Sequence, residues 1–314
     1  MVLYQVGMAK VSVIIPSREE RLLNRTVEDV FAKAVGEIEV VVVLDGPTPY
    51  PLPERPGLTV VSKPRVEGLR AALNDGVEVA TGEYLLKLDA HSAISEGFDD
   101  VLPRDCDDDW VVSPRYFKLN TETWGVKTNW LLDYFYLSFP WVNEARTGYF
   151  MFVDSPWGSR DGERKRIPVD DQMTFQGSCW FMATSHFRRL GGMDECLWGP
   201  WSMEQQEIAL KTWLGGGRVV VNKNVWNAHY HKPFTERAAV WTEYVKSEDY
   251  RMHEKFTRYF VSNQWEERVH DFDWLVERFW PLPQLETAKT RWEARNYWPE
   301  NWREYYDTAL RSGV

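Results

Sequence analysis

Asp89 and His91 are the residues of this chain best placed to do chemistry. They flank Ala90 in Leu86-Lys87-Leu88-Asp89-Ala90-His91, and in an extended segment residues two apart project to one side. A carboxylate oxygen and an imidazole nitrogen on one side can share one ion. Mixed oxygen and nitrogen ligation suits Mn2+, or Mg2+ in its place, and a diphosphate would add oxygens of its own. The work of such an ion is to neutralise charge that builds on a departing diphosphate. Two further histidines, His229 and His231, share one side of Ala228-His229-Tyr230-His231. His186, His253 and His270 read as surface or packing residues.

The elements that must position these groups begin with Val11–Ile15, an apolar run closed by Pro16 and expected as a strand buried on both faces. Residues 20–34 have helical composition. Glu39–Leu44 is a second buried strand, ended by the turn Asp45-Gly46-Pro47. A proline-rich loop to Pro56 precedes a weak strand at Leu58–Val61, a helix over Gly68–Ala80, and a strand at Tyr84–Leu88 that ends on Asp89. Alternation of this kind predicts an α/β fold: a mixed, mostly parallel, Rossmann-like sheet with helices on both faces. Ligands of such sheets bind beyond the carboxyl ends of the strands, where Asp45 and Asp89 both fall.

Residues 115–175 lose this periodicity and read as long loops with short elements. Regularity returns in a strand at Gly177–Ala183, a helix over Met203–Leu214 and two short strands, Arg218–Val221 and Val225–His229. From Thr235 an aromatic-rich helical C-terminal segment is expected, broken by Pro281 and Pro283. No internal repeat or low-complexity tract interrupts the chain.

With 314 residues, 44% hydrophobic and 27% charged, the chain has the composition of a folded protein. No apolar run reaches the ~18–20 residues that cross a bilayer, and the N-terminal stretch lacks the pattern of a signal peptide. Three cysteines without metal-ligand spacing fit a reducing compartment, so a cytoplasmic protein without a membrane partner is expected. A net charge of -10 disfavours nonspecific binding to polyanions but leaves room for a local basic groove. Aromatic residues make up 15% of the chain, 17 of them tryptophans, enough to fill core and still offer flat faces to sugars or bases.

Several ordered motifs carry a family resemblance. Arg65-Val66-Glu67-Gly68-Leu69-Arg70-Ala71-Ala72, then Ala80-Thr81-Gly82-Glu83-Tyr84-Leu85-Leu86-Lys87-Leu88-Asp89-Ala90-His91, resembles the donor-binding half of polypeptide N-acetylgalactosaminyltransferases. Val13-Ile14-Ile15-Pro16-Ser17-Arg18-Glu19-Glu20 and Val42-Val43-Leu44-Asp45-Gly46 are similar to family-2 glycosyltransferases more broadly. The likeness resumes in Gly191-Gly192-Met193-Asp194, Trp201-Ser202-Met203-Glu204-Gln205-Gln206-Glu207 and Lys211-Thr212-Trp213, and closes with Val225-Trp226-Asn227-Ala228-His229. It implies a GT-A fold, a UDP-sugar donor and a bridging Mn2+. On this basis the catalytic unit spans 1–232, with nucleotide-sugar binding in 10–115, the acceptor side and third metal ligand in 116–232, and a helical extension over 233–314.

By position the resemblance puts Pro16, Arg18, Glu20, Asp45, Arg70 and Asp89 at the donor. It makes Asp89, His91 and His229 the metal ligands, with His231 as the rival third ligand. Trp180, Trp201 and Glu207 fall on the acceptor side, and Glu204 joins Asp89 as a catalytic candidate. Inverting family-2 enzymes carry Glu-Asp at the start of this helix, the aspartate being the general base. Here Glu204 is followed by Gln205, which accepts no proton. Either configuration is retained, the preferred expectation, or Glu204 serves as base.

The acceptor is a further expectation. A compact chain of this kind, with Gln176-Gly177-Ser178-Cys179-Trp180-Phe181-Met182, looks like glycosyltransferases of bacteriophages, some of which decorate hydroxymethylated pyrimidines in DNA. Two clusters interleave basic and aromatic residues as single-strand binders do: Trp157, Arg160, Arg164, Lys165 and Arg166, and Lys289, Arg291, Trp292, Arg295, Trp298, Trp302 and Arg303. Reaching a base in a duplex would require flipping it out. A glycan, lipid-linked or protein hydroxyl is the alternative acceptor, and a non-catalytic sugar- or nucleotide-binding protein is the alternative class. No protein partner is indicated.

Overall fold

Residues 10–140, 150–233, 249–284 and 297–305 are described here, from a computed structural model. The N-terminal part alternates as its apolar runs require: β1 (Val11–Ser17), α1 (Leu23–Lys33), β2 (Ile38–Leu44), β3 (Leu58–Ser62), α2 (Leu69–Val79) and β4 (Tyr84–Leu88). There follow β5 (Ser92–Ile94), α3 (Phe98–Arg104), β6 (Trp110–Asn120), β7 (Gly125–Leu132), β8 (Phe135–Leu137), β9 (Asp154–Pro156), α4 (Gly158–Arg164) and β10 (Val169–Asp171). The chain continues through β11 (Cys179–Ala183), α5 (Thr184–Arg189), α6 (Glu195–Trp198), α7 (Glu204–Leu214), β12 (Arg218–His229), α8 (Asp249–Val261) and α9 (Phe272–Phe279).

One mixed sheet runs in the order β10-β12-β6-β11-β4-β1-β2-β3, with β5 added to β12 and β7 to β6. The β4-β1-β2-β3 half is parallel, and β11 enters antiparallel between β4 and β6. Period-two alternation sends neighbouring apolar residues to opposite faces. Ile14, Val41, Val43, Trp180, Met182, Val219 and Val221 pack beneath α2, α5 and α7. Val13, Ile15, Val40, Val42, Phe181 and Val220 pack on the other face with Leu23, Val27 and Val30 of α1 and Phe98 and Leu102 of α3.

The region expected to be irregular holds a long hairpin, β6–β7. The strand β7 hid in the sequence because Lys127–Leu131 are exposed in succession and show no apolar alternation. The two strands expected at 218–221 and 225–229 are one strand, β12, whose register shifts between Asn222 and Trp226; the polar run Asn222-Lys223-Asn224 marks that irregularity. The aromatic C-terminal segment is largely core. Phe256 and Phe260 of α8, Phe272 and Phe279 of α9, and Trp298 are buried in the same cluster as Trp180, Trp198 and Trp213. No helix among the described residues is long and apolar enough to cross a membrane.

Candidate active site

Strand pairing builds a corner from three distant segments. The strand β4 ends at Leu88, and Asp89 N donates to Ser178 O at 2.8 Å. After His91 the chain enters β5, which pairs antiparallel with the end of β12, Ser92 opposite His229. That register sets His91 beside His229: their Nε2 atoms are 3.0 Å apart, and His229 Nε2 lies 3.1 Å from Asp89 Oδ2. The three side chains offer ligand atoms all within 4.8 Å of one another. Adjacent ligands held at about 2.1 Å by an octahedral cation stand about 3 Å apart, so the donor set and its spacing fit a divalent ion.

The surroundings orient these groups. Glu20 Oε2 lies 3.0 Å from His91 Nδ1, leaving Nε2 toward the corner, the arrangement in which a carboxylate backs a metal-binding histidine. Glu20 is itself paired with Lys232 at 2.5 Å. Burial would raise its carboxyl, but His91 and Lys232 bring it down to about 2. Lys87 Nζ bonds Asp89 Oδ1 and donates to Gly177 O at 2.6 Å, which turns Oδ2 toward His229. Against its own burial, Asp89 is held well below the ordinary carboxylate range by Lys87 and His229. Burial pushes His229 down to about 4, so its imidazole is neutral at pH 7, as a metal ligand must be. His231 packs edge-on against His229 with ring centroids 5.1 Å apart, and its Nε2 is hydrogen-bonded to Tyr116 Oη.

The donor-side expectations come apart. Asp45 does not face open space: Oδ1 accepts from Glu67 N at 2.7 Å, and Oδ2 from Gly68 N at 3.0 Å. It therefore locks the end of β2 to the start of α2. Gly68 has φ +104°, and a Cβ there would meet Pro200 O at 2.3 Å, so only glycine lets this turn touch the loop before α7. Arg70 lies fully buried under that loop, ion-paired with Glu207 and donating to Ser202 O at 2.7 Å. Arg70 and Glu207, expected at donor and acceptor, instead form a strut completed by Lys211 Nζ 2.7 Å from Glu207 Oε1. Pro16 is buried within β1, and Arg18 follows that strand's end.

The acceptor-side expectations divide similarly. Trp180 packs rather than presenting a face: it points from β11 into the core and stacks on Phe187, 1% exposed. Trp201 is half-buried on the loop that leads to α7. Ser202 and Met203 in that loop have φ of 86° and 64°, a left-handed conformation uncommon for side-chain-bearing residues and concentrated at functional sites. Glu204 Oε1 accepts from Ser202 N at 2.6 Å, and burial raises its carboxyl.

Residues 12–155 match the family model for glycosyl transferase family 2. Over that stretch, a little under half of the chain, it is similar to family 2 glycosyltransferases. It is 27% identical over 237 residues to putative polypeptide N-acetylgalactosaminyltransferase 10 of Caenorhabditis briggsae, covering 69% of this chain and 36% of that one. It is 28% identical over 173 residues to putative polypeptide N-acetylgalactosaminyltransferase 13 of Drosophila melanogaster, covering 53% and 28%. The chain thus spans about a third of the length of the curated relatives it matches. A crystal structure of GalNAc-T7 with UDP, GalNAc and Mn2+ superposes with a TM-score of 0.57 at 20% identity, over 72% of this chain and 44% of that one. The sheet and its flanking helices have the GT-A fold.

The basic–aromatic cluster of the insert is paired in part, with Lys165 and Arg166 exposed. Arg164 pairs with Asp170, Arg160 lies over the rings of Trp157 and Tyr134, and Trp157 is buried. Of the C-terminal cluster, Trp298 and Trp302 are buried and Arg303 pairs with Glu277; Lys289, Arg291, Trp292 and Arg295 lie outside the described residues.

Sequence reading passed over Lys87, Lys232, Tyr116 and Asp154. Lys87 carried a signal, since a lysine inside the apolar run Tyr84-Leu85-Leu86-Lys87-Leu88 must find a buried partner. Asp154 carried none, because its partners, Thr174, Gln205 and Gln206, come from far along the chain.

Proposed function

We propose that the protein is a metal-dependent glycosyltransferase that moves a sugar from a UDP-sugar to a hydroxyl acceptor, with Asp89, His91 and His229 holding Mn2+ or Mg2+. What supports this reading most is the meeting of two imidazole Nε2 atoms and a carboxylate oxygen at about 3 Å, with His229 neutral and Asp89 ionised. When bound, the ion neutralises the diphosphate that leaves the sugar. Glu20 and Lys87 orient two of its ligands. Asp45 and Arg70 act from beneath, shaping the 65–68 turn and the 200–203 loop that flank the donor.

For the acceptor we take a hydroxymethylated pyrimidine of DNA first, on a phage-type chain working in a reducing cytoplasm. Support for the compartment is that Cys106, Cys179 and Cys196 are all unpaired. Support for a base is Trp130 on β7, 44% exposed, with Lys118 Nζ 3.3 Å above its ring, a stacking face beside a cation. Glycan, lipid-linked and protein hydroxyls are the other arms of the test.

The test is a panel of UDP-sugars, with Mn2+ or with chelator, against hydroxymethylated DNA, plain DNA and simple glycans, read by mass shift. Transfer that needs the metal is expected, falling at least about a thousandfold in Asp89→Asn. Full turnover in that variant, or UDP binding indifferent to Mn2+, would sink the proposal.

A further inference from the structure

We propose that Asp154, carried by β9 on the flank of α7, is the general base that deprotonates the acceptor hydroxyl, so that transfer inverts the anomeric carbon. This rests on the glycosyltransferase reading above and names the residue which that reading lacks.

The observation is a displaced carboxylate. Gln205 stands where inverting relatives of the resembled family carry their base, and its Nε2 donates to Asp154 Oδ2 at 2.6 Å. Gln206 Nε2 donates to the same oxygen at 3.0 Å, and Thr174 Oγ1 donates to Oδ1 at 2.8 Å. All three partners are neutral donors, so they fix the carboxylate without neutralising its charge. Among the described residues, the elements packed on Asp154 offer it nothing titratable. The strand β8 sets Leu137 opposite, the 172–175 segment gives Thr174, and α7 gives the two glutamines. Glu204 of α7 turns its carboxylate to Ser202 N.

A short relay ties this group to the metal corner. Gln205 lies so close to Gly177 that a Cβ on that glycine would come within 2.8 Å of Gln205 Oε1. Gly177 O accepts from Lys87, which holds Asp89. Asp154 is only partly buried, whereas Glu207 is sealed in its ion pairs and Glu204 is 8% exposed. Burial, outweighing the three hydrogen bonds, pushes the Asp154 carboxyl up to about 6, near the value that suits a base working at neutral pH. Gln205 read alone favoured retention; its contact with Asp154 reverses that preference.

In the reaction, the acceptor O–H proton passes to an Asp154 oxygen. The acceptor oxygen bonds the anomeric carbon from the face opposite the diphosphate, and the carbon–oxygen bond to the diphosphate breaks, its electron pair leaving on the diphosphate. Ionised Asp154 is required, so kcat should rise about tenfold from pH 5 to pH 7.

The experiment uses the full chain with Mn2+ and the donor–acceptor pair of highest turnover in the panel above. Asp154→Asn is expected to lower kcat at least about a hundredfold, to leave UDP affinity with Mn2+ within about twofold, and to abolish the rise with pH. Combining it with Gln205→Asp returns a carboxylate to the neighbouring position and is expected to recover at least about tenfold of the lost rate. Anomeric coupling in the initial product, read by NMR, should show inversion. A retained configuration, or wild-type kcat in Asp154→Asn, overturns the proposal. If Asp154→Asn does not fold, the wild-type pH limb and product configuration still decide. Wild-type protein that neither binds UDP nor turns over any donor overturns the transferase reading itself, a result distinct from loss confined to the variant.

Discussion

Two charge clusters, one under the loop from Pro200 to Met203 and one at the corner of Asp89, His91 and His229, differ in what they leave over. Under the loop, Arg70, Glu207 and Lys211 pair with one another: Glu207 answers both cations and also accepts from Asp194 N at 3.2 Å. At the corner, Glu20 and Lys87 each bond one end of a ligand, and the other ends of Asp89, His91 and His229 face one another. A carboxylate and two imidazoles whose ligand atoms converge suit a cation; a cluster whose charged groups pair with one another is a strut. In sequence the two looked alike, as charged residues inside motifs. What separates a site from a brace is therefore the balance of donors and acceptors, not the presence of buried charge.

The comparison is most sharply broken at the strut. Glu207→Gln leaves the Arg70 guanidinium buried and uncompensated, and is expected to cost about 3–5 kcal/mol of stability. Chemical denaturation checks this, while UDP and Mn2+ affinities of the folded fraction should stay put; weaker metal binding at full stability would move Glu207 into the site. At the corner the pattern should invert. Glu20→Gln removes the charge behind His91 and is expected to weaken Mn2+ binding about 10- to 100-fold, read by calorimetry, with little change in melting temperature. The smallest effect is expected at His231, held by Tyr116 outside the corner: His231→Phe should shift Mn2+ affinity by no more than about twofold. A loss as large as that of His229→Ala would make His231 the third ligand.

A third arrangement lies between these two. Asp154 has neutral hydrogen-bond partners and, among the described residues, no countercharge, whereas the corner and the strut each hold charged partners. It is the arrangement expected of a group that must take up and give back a proton.

Much of this was legible in the chain. Continuous apolar runs at 11–15, 39–44 and 84–88 lie buried on both faces of the sheet. Asp89 and His91 were legible because spacing within one short segment fixes their side. The hairpin strand β7 was not, since an exposed edge need not alternate. Nor was the fate of Trp180, whose core position depends on Phe187 and the helices packed above it.

The sequence by itself determined the alternating core, the Asp-Ala-His triplet at the end of a strand and the absence of an aspartate at position 205. These are local facts, set by residue type and period. Tertiary structure decided that His229 lies against Asp89 and His91, that Arg70 and Glu207 brace each other, and that Asp154 meets Gln205. Each of those depends on strand register and on contacts between residues 51 to 138 positions apart, where a shift of one residue turns every side chain to the opposite face.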